Sequence, residues 1–181
     1  MAKYLQAKNA GLVDEALINF LDYVNELDDF YTTSSCFGRI TLLQDVGNKL
    51  NDRSIAKWHR KVSSNEVLET LKPVDGTLWF IFEPFILHIV SKTMDKAQSV
   101  IELAIASGFK RTGLINVKPE RYIVEVLSTE RIDAPIMKDG KMIVPEEYIS
   151  YLIELANEKF LRGEEKIKRF IFGFRKRFPG P

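Results

Sequence analysis

The sequence predicts an α+β fold: a mixed β-sheet with flanking helices, built from repeated strand-strand-helix units. Three observations lead there. Apolar residues recur at helical spacing in three well-separated segments. Between them lie short runs rich in β-branched and aromatic residues, bounded by Gly, Pro and Asp. These runs come in pairs, which excludes the regular βαβ alternation of a doubly wound parallel sheet.

The first helix is expected over residues 12–27, where Val13, Ala16, Leu17, Phe20, Leu21, Val24 and Leu27 line one face. The hydroxyl-rich stretch from Asp28 to Cys36 has no helical period, so it reads as a loop feeding a strand through Ile40 to Leu43. Val46 to Lys57 reads as an exposed loop and Trp58 to Val62 as a short strand. Ser63 and Glu66 stand three apart, the spacing of a capping box, and so predict a short helix to Leu71. Two strands, residues 77–83 and 85–91, flank Pro84, which cannot donate to a ladder. Thr93 is placed to cap a second long helix that stops at Gly108. Strands near 111–117 and 121–128 follow, then an extended segment over 132–144. Pro145 opens the last helix. The 181 residues suit one domain, with 146–178 as a basic C-terminal helix.

Composition narrows the function classes. At 45% hydrophobic and 28% charged the chain has the balance of a soluble protein, and no stretch approaches a membrane span of about 18 apolar residues. The start carries no apolar signal segment, and the one cysteine, Cys36, excludes an internal disulfide, so the cytoplasm is the expected compartment. A net charge of +1 rules out nucleic-acid binding by bulk charge alone. From Asn157 to Phe178, however, eight basic residues, among them Lys166, Arg169, Arg175, Lys176 and Arg177, face three acidic ones and interleave with five phenylalanines. Two readings stand level: a phosphate-gripping helix, or inward-packed phenylalanines with solvated lysines.

The densest reactive cluster is Tyr31-Thr32-Thr33-Ser34-Ser35-Cys36-Phe37-Gly38-Arg39. Its hydroxyls and Arg39 suit an anion or polar ligand, although a turn whose side chains cap local backbone groups is the favoured reading of the residues alone. The two histidines, His59 and His88, are candidates for proton transfer. Two histidines and one cysteine scattered along the chain make no metal site, and no glycine-rich phosphate loop opens a helix.

The hydroxyl cluster, Phe82-Glu83-Pro84-Phe85-Ile86-Leu87-His88, Leu103-Ala104-Ile105-Ala106-Ser107-Gly108-Phe109 and Glu154-Leu155-Ala156-Asn157-Glu158-Lys159-Phe160 together resemble, in order and spacing, the successive signatures of the wybutosine-synthesising protein 3 family. The resemblance implies a methyltransferase that uses S-adenosyl-methionine to methylate ring nitrogen N-4 of the tricyclic base at position 37 of phenylalanine tRNA. It makes Ser34, Ser35, Cys36, Arg39, Trp58, Ser107 and Gly108 candidates for holding the cofactor. It makes His88, His59 and Ser35 the catalytic candidates, with Trp58 stacking on a base or adenine. Arg39, Lys166, Arg169, Arg175, Lys176 and Arg177 are then expected to contact the anticodon arm. Two departures stand out: Phe37 replaces a residue that is small in many members, and Arg53-Ser54-Ile55-Ala56-Lys57 replaces a glycine-rich stretch. The alternative to an enzyme is a non-catalytic RNA-binding module.

Overall fold

The computed structural model describes residues 2–48 and 50–180. In chain order its elements are α1 (Ala2–Asn9), α2 (Glu15–Glu26), β1 (Phe30–Cys36), β2 (Arg39–Asp45), β3 (Arg53–Trp58), α3 (Ser64–Leu68) and β4 (Thr77–Glu83). There follow β5 (Ile86–Ser91), α4 (Met94–Ala106), β6 (Gly113–Lys118), β7 (Arg121–Leu127), β8 (Ile132–Lys138), β9 (Lys141–Met142) and α5 (Glu146–Arg177).

The α+β class with flanking helices holds, and every described strand pairing is antiparallel. The strands, expected in one mixed sheet, divide into two, ordered β1-β5-β7-β6 and β3-β2-β4-β8-β9. Pro84 is one reason. It interrupts the ladder between β4 and β5, so these consecutive strands enter different sheets instead of forming a hairpin. The chain correspondingly forms two compact units. The first comprises Met1–Phe37, Pro84–Thr129 and Gly163–Pro181, and the second Gly38–Glu83 and Glu130–Arg162. Helix α5 contributes residues 146–162 to the second and 163–177 to the first.

In the first unit, Leu17, Phe20, Leu21 and Val24 of α2 form the buried stripe that the spacing predicts. They meet Leu87 and Ile89 of β5, Val124 and Val126 of β7, and Phe170 and Phe174 of α5 in one core. Phe174 packs edge-on against Phe20 and Phe30, with ring centroids 5.4 Å apart in both pairs. Edge-on contacts of this kind add about 0.5–1.5 kcal/mol to the burial of each ring. The phenylalanines at 170 and 174 therefore point inward, whereas Phe172 is 73% exposed. Helix α4 begins where Thr93 accepts from the Lys96 N–H at 3.3 Å. It ends at Gly108, whose φ of +105° is the left-handed conformation a residue without Cβ adopts freely.

In the second unit, Ile40, Leu42, Leu78, Phe80 and Phe82 are buried on one sheet face, as are Ile149, Ile153, Ala156 and Phe160 of α5. Phe82 and Phe160 meet at 5.3 Å. The Ser63 cap forms as expected, its hydroxyl accepting from the Glu66 N–H at 3.2 Å.

Three local expectations are corrected. The hydroxyl stretch is strand β1, not a loop, because its backbone pairs with β5 and Asn25 clamps Thr32: the Asn25 amide donates to the Thr32 hydroxyl at 2.8 Å and accepts from the Thr32 N–H at 2.9 Å. The expected loop over 46–57 gives way at Arg53 to strand β3. This is an edge strand with no buried residue, so it has no apolar alternation to betray it. The strand expected over 58–62 ends at Trp58. Beyond it the Asn157 side chain holds Val62 through both its backbone groups, at 2.8 and 3.1 Å. Phe37, which departs from the family pattern, packs against the first core, and its N–H donates to Asp14 at 2.6 Å.

Candidate active site

Strand alternation turns Leu87, Ile89, Val124 and Val126 to the first core and leaves the residues between them on the opposite face of that sheet. His88 stands there, directly across from Ser34 on β1 and Glu125 on β7. Its Nε2 lies 2.8 Å from Glu125 Oε2, with the two side chains 21% and 25% exposed. An ionised carboxylate only accepts, so Nε2 carries the shared hydrogen, and in the neutral imidazole Nδ1 then holds the lone pair. This imidazole is oriented by its neighbour and keeps one nitrogen able to accept a proton.

The next row of the same face runs from Tyr31 through Val90 and Ile123 to Asn116. Arg121 donates from Nε to the Tyr31 hydroxyl at 3.3 Å, and Val90 between them is fully buried. Asn116 Oδ1 is buried without a hydrogen-bond partner, an acceptor left for a ligand or water to satisfy. A bulge between Thr32 and Ser34 re-aims β1 so that Ser34 comes opposite His88. Cys36, opposite Ile86, shares that face. Ser35 pairs with core-facing Leu87 and so turns the other way.

Ser107 and Gly108 lie at the end of α4. The Ser107 hydroxyl donates to the Leu103 carbonyl at 2.8 Å, and Arg169 donates to the Ser107 carbonyl at 3.2 Å. A Cβ on Gly108 would lie 3.3 Å from Lys166 Cγ, so this helix stop is fitted closely to α5. Arg175 donates to the Asn19 carbonyl at 3.2 Å and sits 4.5 Å from the Tyr23 ring centre. Arg177 reaches Ser99 and Glu102 at 3.1 and 3.2 Å, and Lys176 is exposed. Several cations of the basic helix thus also brace α5 against α2 and α4.

The remaining candidates belong to the second unit. Arg39 is ion-paired with Glu83, its direct partner on β4, and Glu83 also lies 3.8 Å from Arg131. Arg131 in turn grips Asp133 through two bonds of 2.5 and 2.8 Å. Trp58 lies opposite Ile40 at the end of β3. Arg60 foremost, with Trp58 contributing, holds the Glu66 carboxyl below the usual carboxylate range. His59 is exposed. The structure therefore brings Ser34, Cys36 and His88 to one face and keeps Arg39, Trp58 and His59 in the other unit.

Sequence reasoning missed Glu125, Arg121 and Asn116. The period-two polar positions Arg121 and Glu125 were a visible signal, but only the strand register ties them to His88.

A family model described as methyltransferase TYW3 matches residues 1–176. The chain belongs to that family. Among curated relatives of this TYW3 protein, one from Thermococcus sibiricus is 41% identical over 90% of this chain and 84% of its own. One from Pyrococcus horikoshii is 40% identical over 90% and 85%. Both are named tRNA(Phe) 7-((3-amino-3-carboxypropyl)-4-demethylwyosine(37)-N(4))-methyltransferases. A solved structure from Pyrococcus horikoshii superposes with a TM-score of 0.88 at 37% identity, covering 95% of this chain and 90% of that one. A second, titled a hypothetical protein from Aeropyrum pernix, gives 0.76 at 30% identity over 90% and 98%. No described helix is long and apolar enough to cross a membrane.

Proposed function

We propose that this TYW3-family protein methylates N-4 of the tricyclic wyosine-type base at position 37 of phenylalanine tRNA, with S-adenosyl-methionine as donor. The observation that carries the reading is 41% identity, over nearly the whole chain, to a relative named for that reaction.

The face around His88 has the chemistry to take such a cofactor. Asn116 Oδ1 is a buried acceptor awaiting a donor, and the Ser34 hydroxyl is exposed. Ser34, Cys36 and Asn116 are the residues of the first unit assigned to hold it. When bound, the cofactor supplies an electrophilic methyl group. The protein has two tasks. It fixes the base so that N-4 points at that methyl, and it takes the proton that the ring nitrogen sheds. His88 Nδ1 accepts the proton, and Glu125 stabilises the imidazolium that results. The anticodon arm is assigned to exposed cations of α5, Lys176 first, with Lys166, Arg169, Arg175, Arg177 and Arg39 in support.

Calorimetry with S-adenosyl-methionine, followed by methyl transfer to phenylalanine tRNA carrying the unmethylated tricyclic base, tests the reading. Binding and transfer in the wild type, with transfer but not binding lost in His88→Ala, support it. RNA affinity falling steeply with salt, but without cofactor binding or transfer, favours the RNA-binding module instead.

A further inference from the structure

Five phenylalanines interleave with the cations of α5 and the residues just after it, and one of them is placed unlike the rest. Phe160, Phe170 and Phe174 are buried, and Phe178 packs partly covered against the first core. With Ile167 and Ile171, the last three continue the inward row at three-and-four spacing. Phe172 lies outside that row and is 73% exposed. Its ring adds nothing to the core, and phenylalanine is a poorer helix former than the Lys and Arg around it. Neither packing nor helix propensity therefore accounts for it.

Its setting does. The neighbours of a helical side chain stand three and four positions away. For Phe172 these are Lys168, Arg169, Arg175 and Lys176, four cations, all exposed. From Lys166 to Pro181 there are six cations and no acidic residue, in a chain whose net charge is only +1. Two of the four neighbours are fixed by other elements: Arg169 donates to the Ser107 carbonyl at the end of α4, and Arg175 to the Asn19 carbonyl of α2. A guanidinium carries five N–H donors, so one such bond orients the group without exhausting it. Lys168 pairs with Glu165 at 2.8 Å, with the two side chains 68% and 61% exposed, and an ion pair so open to water is readily exchanged for a phosphate.

An open aromatic face among cations suits a ligand that alternates flat rings with negative charges. A nucleic acid does so, but a duplex hides its base faces in the stack, and only an unpaired base can lie on the ring. An acidic protein segment would satisfy the cations, yet it would be served as well by leucine as by phenylalanine. We infer that Phe172 is a stacking platform for an unpaired base of the RNA substrate, with Lys168, Arg169, Arg175 and Lys176 on the phosphates to either side. The inference rests on the proposed function, whose substrate is an RNA, and adds to it a contact made by a ring instead of a charge.

The test uses the full chain as wild type, Phe172→Leu, Phe172→Trp and Lys176→Gln. The probes are phenylalanine tRNA, an unstructured single-stranded RNA, and the duplex of that strand with its complement. Phe172→Leu keeps an apolar side chain at an exposed position and removes only the ring. It should bind the tRNA and the single strand about tenfold more weakly, with salt dependence and duplex affinity unchanged. Phe172→Trp should restore the binding, and in methyl transfer the Phe172→Leu loss should appear in the KM for tRNA. Lys176→Gln should instead weaken all three probes and reduce the salt slope by about one. Wild-type binding by Phe172→Leu overturns the inference, as does a loss that tryptophan does not restore or that extends equally to the duplex. A wild-type dimer that Phe172→Leu dissociates would assign the ring to a second copy and overturn it too. Methyl transfer that continues in any of those cases leaves the proposed function standing. Ring-dependent RNA binding without cofactor binding or transfer upholds the inference and overturns the methyltransferase reading.

Discussion

The outer faces of the two sheets carry different kinds of charge. In the first unit the conspicuous pair is an imidazole on a carboxylate, His88 and Glu125. In the second it is a chain of guanidinium and carboxylate groups, Arg39, Glu83, Arg131 and Asp133, whose charges are fixed. Asp133 makes the Arg131 proton harder still to remove. The cores differ as well. The first interlocks Phe20, Phe30, Phe170 and Phe174, and the second packs Ile149, Ile153 and Leu152 with fewer rings. The difference teaches that the two faces call for different tests: removal of an imidazole in the first unit and of a paired guanidinium in the second.

The largest expected effect is on the aromatic core. Phe174→Ala removes a fully buried ring with four ring neighbours and should lower unfolding stability by about 3–5 kcal/mol, read from the denaturant midpoint. A loss near 1 kcal/mol would mean the rings are not a cooperative core. His88→Ala comes next. It should reduce methyl transfer by roughly 100-fold, about 2.7 kcal/mol, while leaving the melting temperature almost unchanged. Glu125→Gln should act in the same direction, less strongly. Equal losses from Arg131→Gln would erase the contrast between the two faces.

Smaller effects sharpen the contrast in stability. Ser63→Ala removes the α3 cap in the second unit and should cost about 1 kcal/mol in a thermal or chemical melt. In the first unit, hydrogen bonds from Lys8 and then Tyr4 hold the Asp22 carboxyl below its ordinary range. A lowered folded value means that this contribution is complete above the unfolded carboxyl value of about 4 and disappears as the pH falls through the folded one. Lys8→Ala should therefore destabilise the protein by less than about 1 kcal/mol at pH 7, and by nothing measurable once Asp22 is protonated in both states. A Lys8→Ala penalty that persists at low pH would contradict that pairing.

Much of the fold was legible because it is local. The helix stripes, the Ser63 and Thr93 caps, the Gly108 stop and the break at Pro84 all depend on residues within one or two turns of each other. What the sequence concealed depends on partners far along the chain. Strand β3 is exposed on an edge and leaves no apolar pattern. Strand β1 is polar because Asn25 engages its Thr32 hydroxyl and a bulge turns Ser34 outward, and polarity alone made it resemble a loop.

The candidate site divides in the same way. The sequence by itself determined which residue types were available: two histidines, a run of hydroxyls, a basic C-terminal helix with phenylalanines between the charges, and four motifs in family order. Only the tertiary structure decided that His88 meets Glu125, that Ser34 and not Ser35 shares its face, and that Arg39 is already paired with Glu83. The physical reason is that a side chain's face follows from strand parity, whereas its neighbour follows from register. Register is set by how two strands dozens of residues apart bury their apolar faces on one core.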